Sequence, residues 1–355
     1  MKNKLTKQTK SNFITYGIVI AAFLFMQIAL SMGKVSSLME GLLVPLCTYV
    51  ILAVSLNLTV GILGELSLGH AGFMCVGAFA SALFSKCTQA SIPNSGLRFF
   101  LAILIGAAAA ALFGILIGIP VLRLKGDYLA IVTLAFGEII KNLVNVIYLG
   151  RDSSGFHFSM KDTMSLNMEP DGEILIKGAQ GITGTPNDSS FIIGIVLVLI
   201  TIFIITNLVN SRTGRAVMAI RDNRIAAESL GINITKYKLL AFSVSASLAG
   251  VAGVLYAHNL STLTALPKNF GYSMSIMILV FVVLGGIGSI RGSVIAAVIL
   301  TLLPELLRGL NDYRMLIYAV VLIVMMLFNW SPKARELREM VAGKFRKQKK
   351  SQEEV

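Results

Sequence analysis

Ser211-Arg212-Thr213-Gly214-Arg215-Ala216-Val217-Met218-Ala219-Ile220-Arg221-Asp222-Asn223-Arg224-Ile225-Ala226-Ala227-Glu228-Ser229-Leu230-Gly231-Ile232-Asn233-Ile234-Thr235-Lys236-Tyr237-Lys238 is polar and charged, in a chain that otherwise runs from one apolar segment to the next. An interruption of this kind separates segments buried in a bilayer from a loop that stays outside it. Gly214 to Arg221 and Asn223 to Gly231 carry good helix formers, and Gly231 supplies a stop, so two short helices with a turn at Asp222-Asn223 are predicted. Ala226 and Ala227, with Arg212, Arg215, Arg221 and Arg224 around them, suit a partner's groove, because small residues allow close backbone approach. A solvated loop kept positive by the insertion rule fits the same composition.

Working outward, apolar residues make up 55% of the 355 and charged ones 14%, too apolar for an ordinary soluble domain. The formal charge of +13 argues for topology and not for nucleic acid, since Lys and Arg lie between apolar runs and at both ends. Cys47, Cys75 and Cys87 lack CxxC spacing, so neither a metal site nor a disulfide framework is indicated, and no cofactor is expected. Lys2, Lys4, Lys7 and Lys10 precede the apolar run Phe13 to Met32, as in a signal peptide. That run is longer than a usual h-region and Ala29-Leu30-Ser31 is a poor cleavage site, which favours a retained first helix.

Ten apolar segments can be marked: Phe13 to Met32, Leu42 to Val60, Ala71 to Phe84, Phe99 to Leu122, Tyr128 to Leu149, Phe191 to Leu208, Leu239 to Ala257, Ser273 to Leu284, Ser293 to Leu303 and Met315 to Phe328. The predicted fold is an all-α membrane protein, a polytopic bundle of about ten transmembrane segments with glycine-rich broken or re-entrant stretches. The shorter segments must be extended by flanking Gly and Ser to span about 30 Å. With the N-terminus inside, ten crossings put Arg123-Leu124-Lys125, the Ser211 to Lys238 stretch and the Lys333 to Lys350 tail inside, and Gly150 to Ser190 outside. The charges agree: the inside stretch has six Lys or Arg against two acids, the outer loop three against six. The expected divisions are a basic cytoplasmic N-terminus (1–12), a transmembrane domain (13–330) and a basic cytoplasmic tail (331–355). The transmembrane domain includes the inside loop 209–238 and the outer loop 150–190. The outer loop carries turns at Pro170-Asp171-Gly172 and at Gln180 to Pro186; it is long enough for a docking surface, with a passive linker as the plainer possibility.

Two places break the helical pattern, Gly61-Ile62-Leu63-Gly64-Glu65-Leu66-Ser67-Leu68-Gly69-His70-Ala71-Gly72-Phe73 and Gly285-Gly286-Ile287-Gly288-Ser289-Ile290-Arg291-Gly292. Breaks at membrane depth need protein or a water-filled cavity to satisfy the backbone. Their recurrence near the two ends suggests two related halves. Glu138 and Lys141, at i and i+3 inside an apolar segment, can pair on one face, either as a structural ion pair at an interface or as a polar lining.

The run Asn57-Leu58-Thr59-Val60-Gly61 with Ser67-Leu68-Gly69-His70-Ala71-Gly72-Phe73 resembles the signature of the branched-chain amino acid ABC permeases, in particular their M-type subunit. Gly126-Asp127-Tyr128-Leu129-Ala130-Ile131-Val132-Thr133-Leu134-Ala135-Phe136-Gly137-Glu138 resembles that family's central segment, Gly178 to Pro186 its outer-loop turn, and Val283 to Arg291 its glycine-rich stretch. Ala226-Ala227 followed by Gly231 is similar to the coupling loop of ABC-importer permeases, Glu-Ala-Ala, three residues, then Gly, with Ile225 where the Glu often stands. The resemblance covers roughly residues 42 to 310. It implies a permease of the bacterial inner membrane with both termini cytoplasmic, paired with a second, H-type permease as a heterodimer. It also implies two cytoplasmic ABC ATPases and an extracytoplasmic binding protein that captures leucine, isoleucine or valine. Relatives carrying urea, short amides, nucleosides or simple sugars leave the substrate open.

The chain has no GxxxxGK[ST], the nearest approach being Gly343-Lys344 followed by Phe345, so ATP hydrolysis falls to a partner and the chain is not expected to be an enzyme. In the family's terms Gly214, Arg215, Arg221, Ala226, Ala227, Glu228 and Gly231 couple to the ATPase. Asn57, Gly64, Ser67, Gly69, His70, Thr133 and Glu138 line or support the passage, His70 as a helix-end hydrogen-bonding group. Lipid is the remaining partner, and nucleic acid is none. Two other classes use the same residues: an ion-coupled carrier with Glu65, Glu138, Lys141 and His70 as a proton relay, and an intramembrane hydrolase with Ser67 or Ser289 and His70 or His258.

Overall fold

All ten apolar runs are helical over most of their length in the computed structural model, which describes residues 2–32, 36–124, 126–170, 172–308 and 313–330. Lys125, Asp171 and the basic tail 331–355, with Lys333 to Lys350 and Gly343-Lys344, lie outside the described residues. Among the described residues, seven helices are long and apolar enough to cross a membrane, Met39–Leu63, His70–Thr88, Ser95–Val121, Asp127–Val146, Phe191–Asn210, Ile234–Ala257 and Pro267–Gly285, with a shorter apolar run at Thr15–Ile28. The protein is therefore mostly helical and of the membrane-spanning kind.

The chain divides into two units, 1–298 and 299–355. The first contains α1 (Lys2–Ser31), α2 (Ser37–Asn57), a π turn (Leu58–Leu63), α3 (His70–Thr88), α4 (Ser95–Val121), α5 (Asp127–Val146), α6 (Phe191–Asn210), α7 (Arg212–Asp222), α8 (Arg224–Ser229), α9 (Ile234–Ala257), α10 (Pro267–Phe270), α11 (Tyr272–Gly285) and the start of α12 (Ile290–Leu306). The second holds the rest of α12 and α13 (Arg314–Trp330), whose Leu316, Val320, Ile323, Val324 and Leu327 are exposed.

The core of the first unit is built on small residues. α9 packs along α3, α4 and α2. A Cβ on Gly250 of α9 would lie 2.5 Å from Ala110 Cβ and 2.7 Å from Gly106 O of α4. Gly77 of α3 meets Gly250, and Gly253 meets the carbonyl of Met74. Without water to drive helices together inside a bilayer, such backbone-to-backbone approach supplies the van der Waals contact that holds them. The flanks lengthen two of the short predicted segments: α3 has 19 residues and is long enough to cross a membrane, while α12 has 17.

The long loop between α5 and α6 departs from an all-helical fold. Tyr148–Arg151 (β1), Phe156–Ser159 (β2) and Glu173–Lys177 (β3) form an antiparallel sheet in the order β2-β1-β3. Ile182–Thr183 (β4) pairs with Thr262–Leu263 (β5), which ties the loop to the corner after α9. The helix expected to reach Leu149 stops at Val146, because Tyr148 onward finds strand partners. Asp152 is held well below the ordinary carboxylate range, first by the Ser154 hydroxyl at 2.6 Å, then by the backbone N–H groups of Glu169 and Ser154 and by His157 at 2.9 Å. The Ser165 hydroxyl does the same for Asp162.

Two ion pairs pin the loop to the bundle among the described residues, Lys86 of α3 with Glu173 of β3 at 3.2 Å and, more deeply enclosed, Arg98 with Asp188. Arg98, at the start of α4, donates to both carboxylate oxygens of Asp188, with Nη2 2.7 Å from Oδ2 and 2.9 Å from Oδ1 and Nε 3.1 Å from Oδ2. Both side chains are at least nine-tenths buried. His258, at the C-terminal end of α9, stacks edge-on against Phe99 beside it.

Candidate functional site

Three polar caps shape the charged stretch. Ser211 Oγ accepts from Gly214 N at 3.1 Å, Asn223 Oδ1 from Ala226 N at 3.1 Å, and Asn233 Oδ1 from Lys236 N at 3.0 Å. Each satisfies an open donor at a helix start, which is why α7, α8 and α9 begin where they do. Asn223 is the turn between the two predicted helices. Gly231, at φ +78°, ends the second with a left-handed residue that a side chain would strain.

The stretch has a small core of its own, Ile220, Ala227 and Ile234, with Ile232 and Tyr237 packed against it. This corrects the expectation that Ala226 and Ala227 share one outer face. Ala227 is only 2% exposed and packs α8 onto α7 and α9; Ala226 stays outside. The outer face is carried by Ile225 and Leu230, 78% and 81% exposed, together with Ala226 and Glu228. Large apolar side chains inside a charged stretch are the sequence signal for Ile225 and Leu230.

Of the remaining coupling candidates Gly214 is buried, while Arg215 and Arg221 are exposed but each donates to a backbone carbonyl. Gly214 is buried where a Cβ would strike the carbonyls of Leu208 and Val209, so it forms the joint between α6 and α7. Arg215 donates to Asn210 O at 3.1 Å, closing the end of α6. Arg221 turns back into the bundle, and its Nη1 donates to Gly61 O at 3.0 Å.

The first glycine break is a real interruption. After α2 the backbone widens into the π turn, Gly64 takes a left-handed conformation at φ +79°, and the chain is irregular until α3 starts at His70. Asn57 Oδ1 accepts from Gly288 N at 2.9 Å, so the two breaks meet. Thr133 Oγ1 accepts from Leu68 N and donates to Ala130 O, both at 3.0 Å, and a Cβ on Gly69 would strike the Thr133 carbonyl. His70 is fully enclosed against Ser55, with Nε2 and Oγ 2.8 Å apart, which fits a helix-end supporting group. Asn57 Nδ2 and Ser67 Oγ are buried without a partner.

Glu138 pairs with Lys141 as expected, and its Oε1 also accepts from Tyr272 N at 2.7 Å. The pair is thus an interface device that caps the start of α11 with negative charge. The relay set is not assembled: Glu65 pairs with Lys238, Glu138 with Lys141 and His70 with Ser55. The hydrolase pairing is overturned by the same geometry, since His258 is held by Ser85 at 2.7 Å and His70 by Ser55, not by Ser67 or Ser289.

The family described as branched-chain amino acid transport system / permease component matches residues 38–328. The chain is 36% identical over 293 residues to the high-affinity branched-chain amino acid transport system permease protein LivM of Salmonella typhimurium, covering 80% of this chain and 66% of LivM. To LivH of the same organism it is 24% identical over 287 residues, covering 79% and 89%. To the fructose import permease protein FruG of Bifidobacterium longum it is 26% identical over 226 residues, 61% of each chain. The chain thus spans just under two thirds of the length of the LivM proteins it matches. No solved structure matches it. A match over residues 38–328 takes in both glycine breaks, the capped helix pair and nine of the ten apolar runs in full, and the chain belongs to the branched-chain amino acid transport system permease family.

Proposed function

We propose that the chain is the M-type permease subunit of an ABC importer for leucine, isoleucine or valine, working with an H-type permease, two cytoplasmic ATPases and an extracytoplasmic binding protein. The reading rests on the identity to LivM across 293 residues, higher than that to FruG, which keeps simple sugars as the second substrate class. The chain takes ten crossings of a bacterial inner membrane, with both termini and the Ser211 to Lys238 stretch in the cytoplasm and the sheet-bearing loop outside. The basic charge of the one loop and the acidic charge of the other support that arrangement.

The outer face of α8, with Ile225, Ala226, Glu228 and Leu230, meets the ATPase; Gly214, Arg215, Ala227 and Gly231 hold that face in shape. Asn57, Gly64, Ser67, Gly69, His70 and Thr133 form or support the passage, where few polar groups allow release as well as entry. Energy comes from the partners' nucleotide cycle, which shifts the bundle between two openings.

The test is uptake into vesicles reconstituted with all four kinds of subunit. Leucine uptake that requires ATP and the binding protein is expected; uptake driven by a proton gradient alone, or of fructose in place of leucine, refutes the reading. A cysteine at Ser165 is expected to react with an impermeant thiol reagent from outside intact cells, and one at Ser229 is not; reversed labelling overturns the ten-crossing arrangement.

A further inference from the structure

Three elements distant in sequence converge on the end of the π turn. From α7, Arg221 Nη1 donates to Gly61 O at 3.0 Å, while Nε and Nη2 hold Asp222 Oδ1 at 3.1 and 3.0 Å. The stem of Arg221 covers Gly64, since a Cβ there would lie 2.6 Å from Arg221 Cγ. From α9, Lys238 pairs with Glu65, the next residue, and both side chains are largely buried. From the second glycine break, Gly288 N donates to Asn57 Oδ1; a Cβ on Gly61 would lie 2.3 Å from Gly288 N, and Gly288 is itself held at φ +82°, a conformation that a side chain would strain.

The chemistry at Gly61 O is specific. The last carbonyls of a helix have no partner within it and carry partial negative charge, so a guanidinium there makes a charge-assisted bond aligned with the helix dipole. Single-turn π segments mark places where a helix changes its register. Beside this one, Asn57 Nδ2 and Ser67 Oγ are buried with no partner, which disfavours the present register and leaves the outside clamps to hold it.

We propose that Arg221 and Lys238 are positioning residues that hold the π turn in register from the charged stretch, so that displacement of α7 uncaps Gly61 and lets the turn shift, changing access to Ser67. Arg221 then acts on the passage and not on the ATPase surface. This rests on the coupling role proposed above.

The experiment uses the complete transporter with Arg221→Ala, Arg221→Lys and, as a control on the exposed side of α9, Lys236→Ala, each also carrying Ser67→Cys. Co-purification of the ATPases is expected to stay within twofold of wild type in all of them. In Arg221→Ala, transport falls at least tenfold, and the rate of thiol modification at position 67 no longer differs between nucleotide-free and ATP-trapped protein. Arg221→Lys, which keeps charge and one donor, restores part of both; Lys236→Ala changes neither. Full transport in Arg221→Ala, or a nucleotide-dependent thiol rate like that of wild type, overturns the proposal. Should the wild-type chain retain no ATPase, the coupling reading fails by itself. The cap is then judged in the isolated permease, where an unchanged thiol rate in Arg221→Ala overturns it.

Discussion

Replacing Arg98 by alanine removes one half of the most enclosed bidentate ion pair described in the protein and leaves Asp188, about one-tenth exposed, with no cation in contact. Truncating one partner of a buried pair costs about 3–5 kcal/mol, because the remaining charge keeps its desolvation penalty and loses its compensation. The loss also frees the segment that enters α6 and the edge of the β4–β5 ladder, both of which are anchored next to Asp188. A melting temperature falls by roughly 2–4 °C per kcal/mol in chains of 150–250 residues and by less in a longer one, so a drop of several degrees is expected. The assay is thermal unfolding of the purified protein in detergent, followed by loss of the monodisperse peak. Arg98→Leu combined with Asp188→Leu removes both charges and fills the space, and it is expected to recover to within about 1 kcal/mol of wild type. A single Arg98→Ala variant that melts within 1 °C of wild type, or a double variant worse than the single, refutes the argument that the pair is held by burial.

Ala227→Glu forces a charge among Ile220 and Ile234 and is expected to unfold α8 and abolish ATPase retention, whereas Leu230→Ser leaves the fold and melting temperature intact and lowers retention only; the two are separated by melting and pull-down. Gly250→Val drives a side chain into Ala110 and the Gly106 carbonyl, for an expected loss of about 1–3 kcal/mol or more in thermal stability. Asp152 is depressed in the folded protein, so its stabilisation is present above the ordinary carboxylate range and is lost only as pH falls through the lower, folded value. Limited proteolysis of the outer loop is therefore expected to show wild type still protected at pH 4, with Asp152→Asn cleaved faster at neutral pH and the difference vanishing in stronger acid.

What was legible in the sequence was local. Asn223 and Gly231 act on neighbours three or four residues away, so the two short helices and their stop could be read directly, as could the i, i+3 pairing of Glu138 and Lys141. Arg98–Asp188 and Glu65–Lys238 span 90 and 173 residues, and no periodicity reports on partners so far apart. The outer sheet escaped notice because strands of two to five residues carry little pattern, although Phe156-His157-Phe158-Ser159 alternates exposed and covered positions. Ala227 is ambiguous in sequence for a different reason: alanine is equally at home in a docking face and in a small core, and only packing separates them.

α9 joins two of these distant devices. It has 24 residues, about 36 Å of helix, and is seated by glycine contacts against α3 and α4 along its length. One end leads through His258 into β5, stitched to the outer loop, while near the other end Lys238 grips Glu65 at the corner of the π turn. Fastened at both ends and bedded along its side, α9 gives the sheet-bearing loop and the Gly61–Glu65 corner one common support. In this sense the outer sheet and the broken helix are two handles on a single bar.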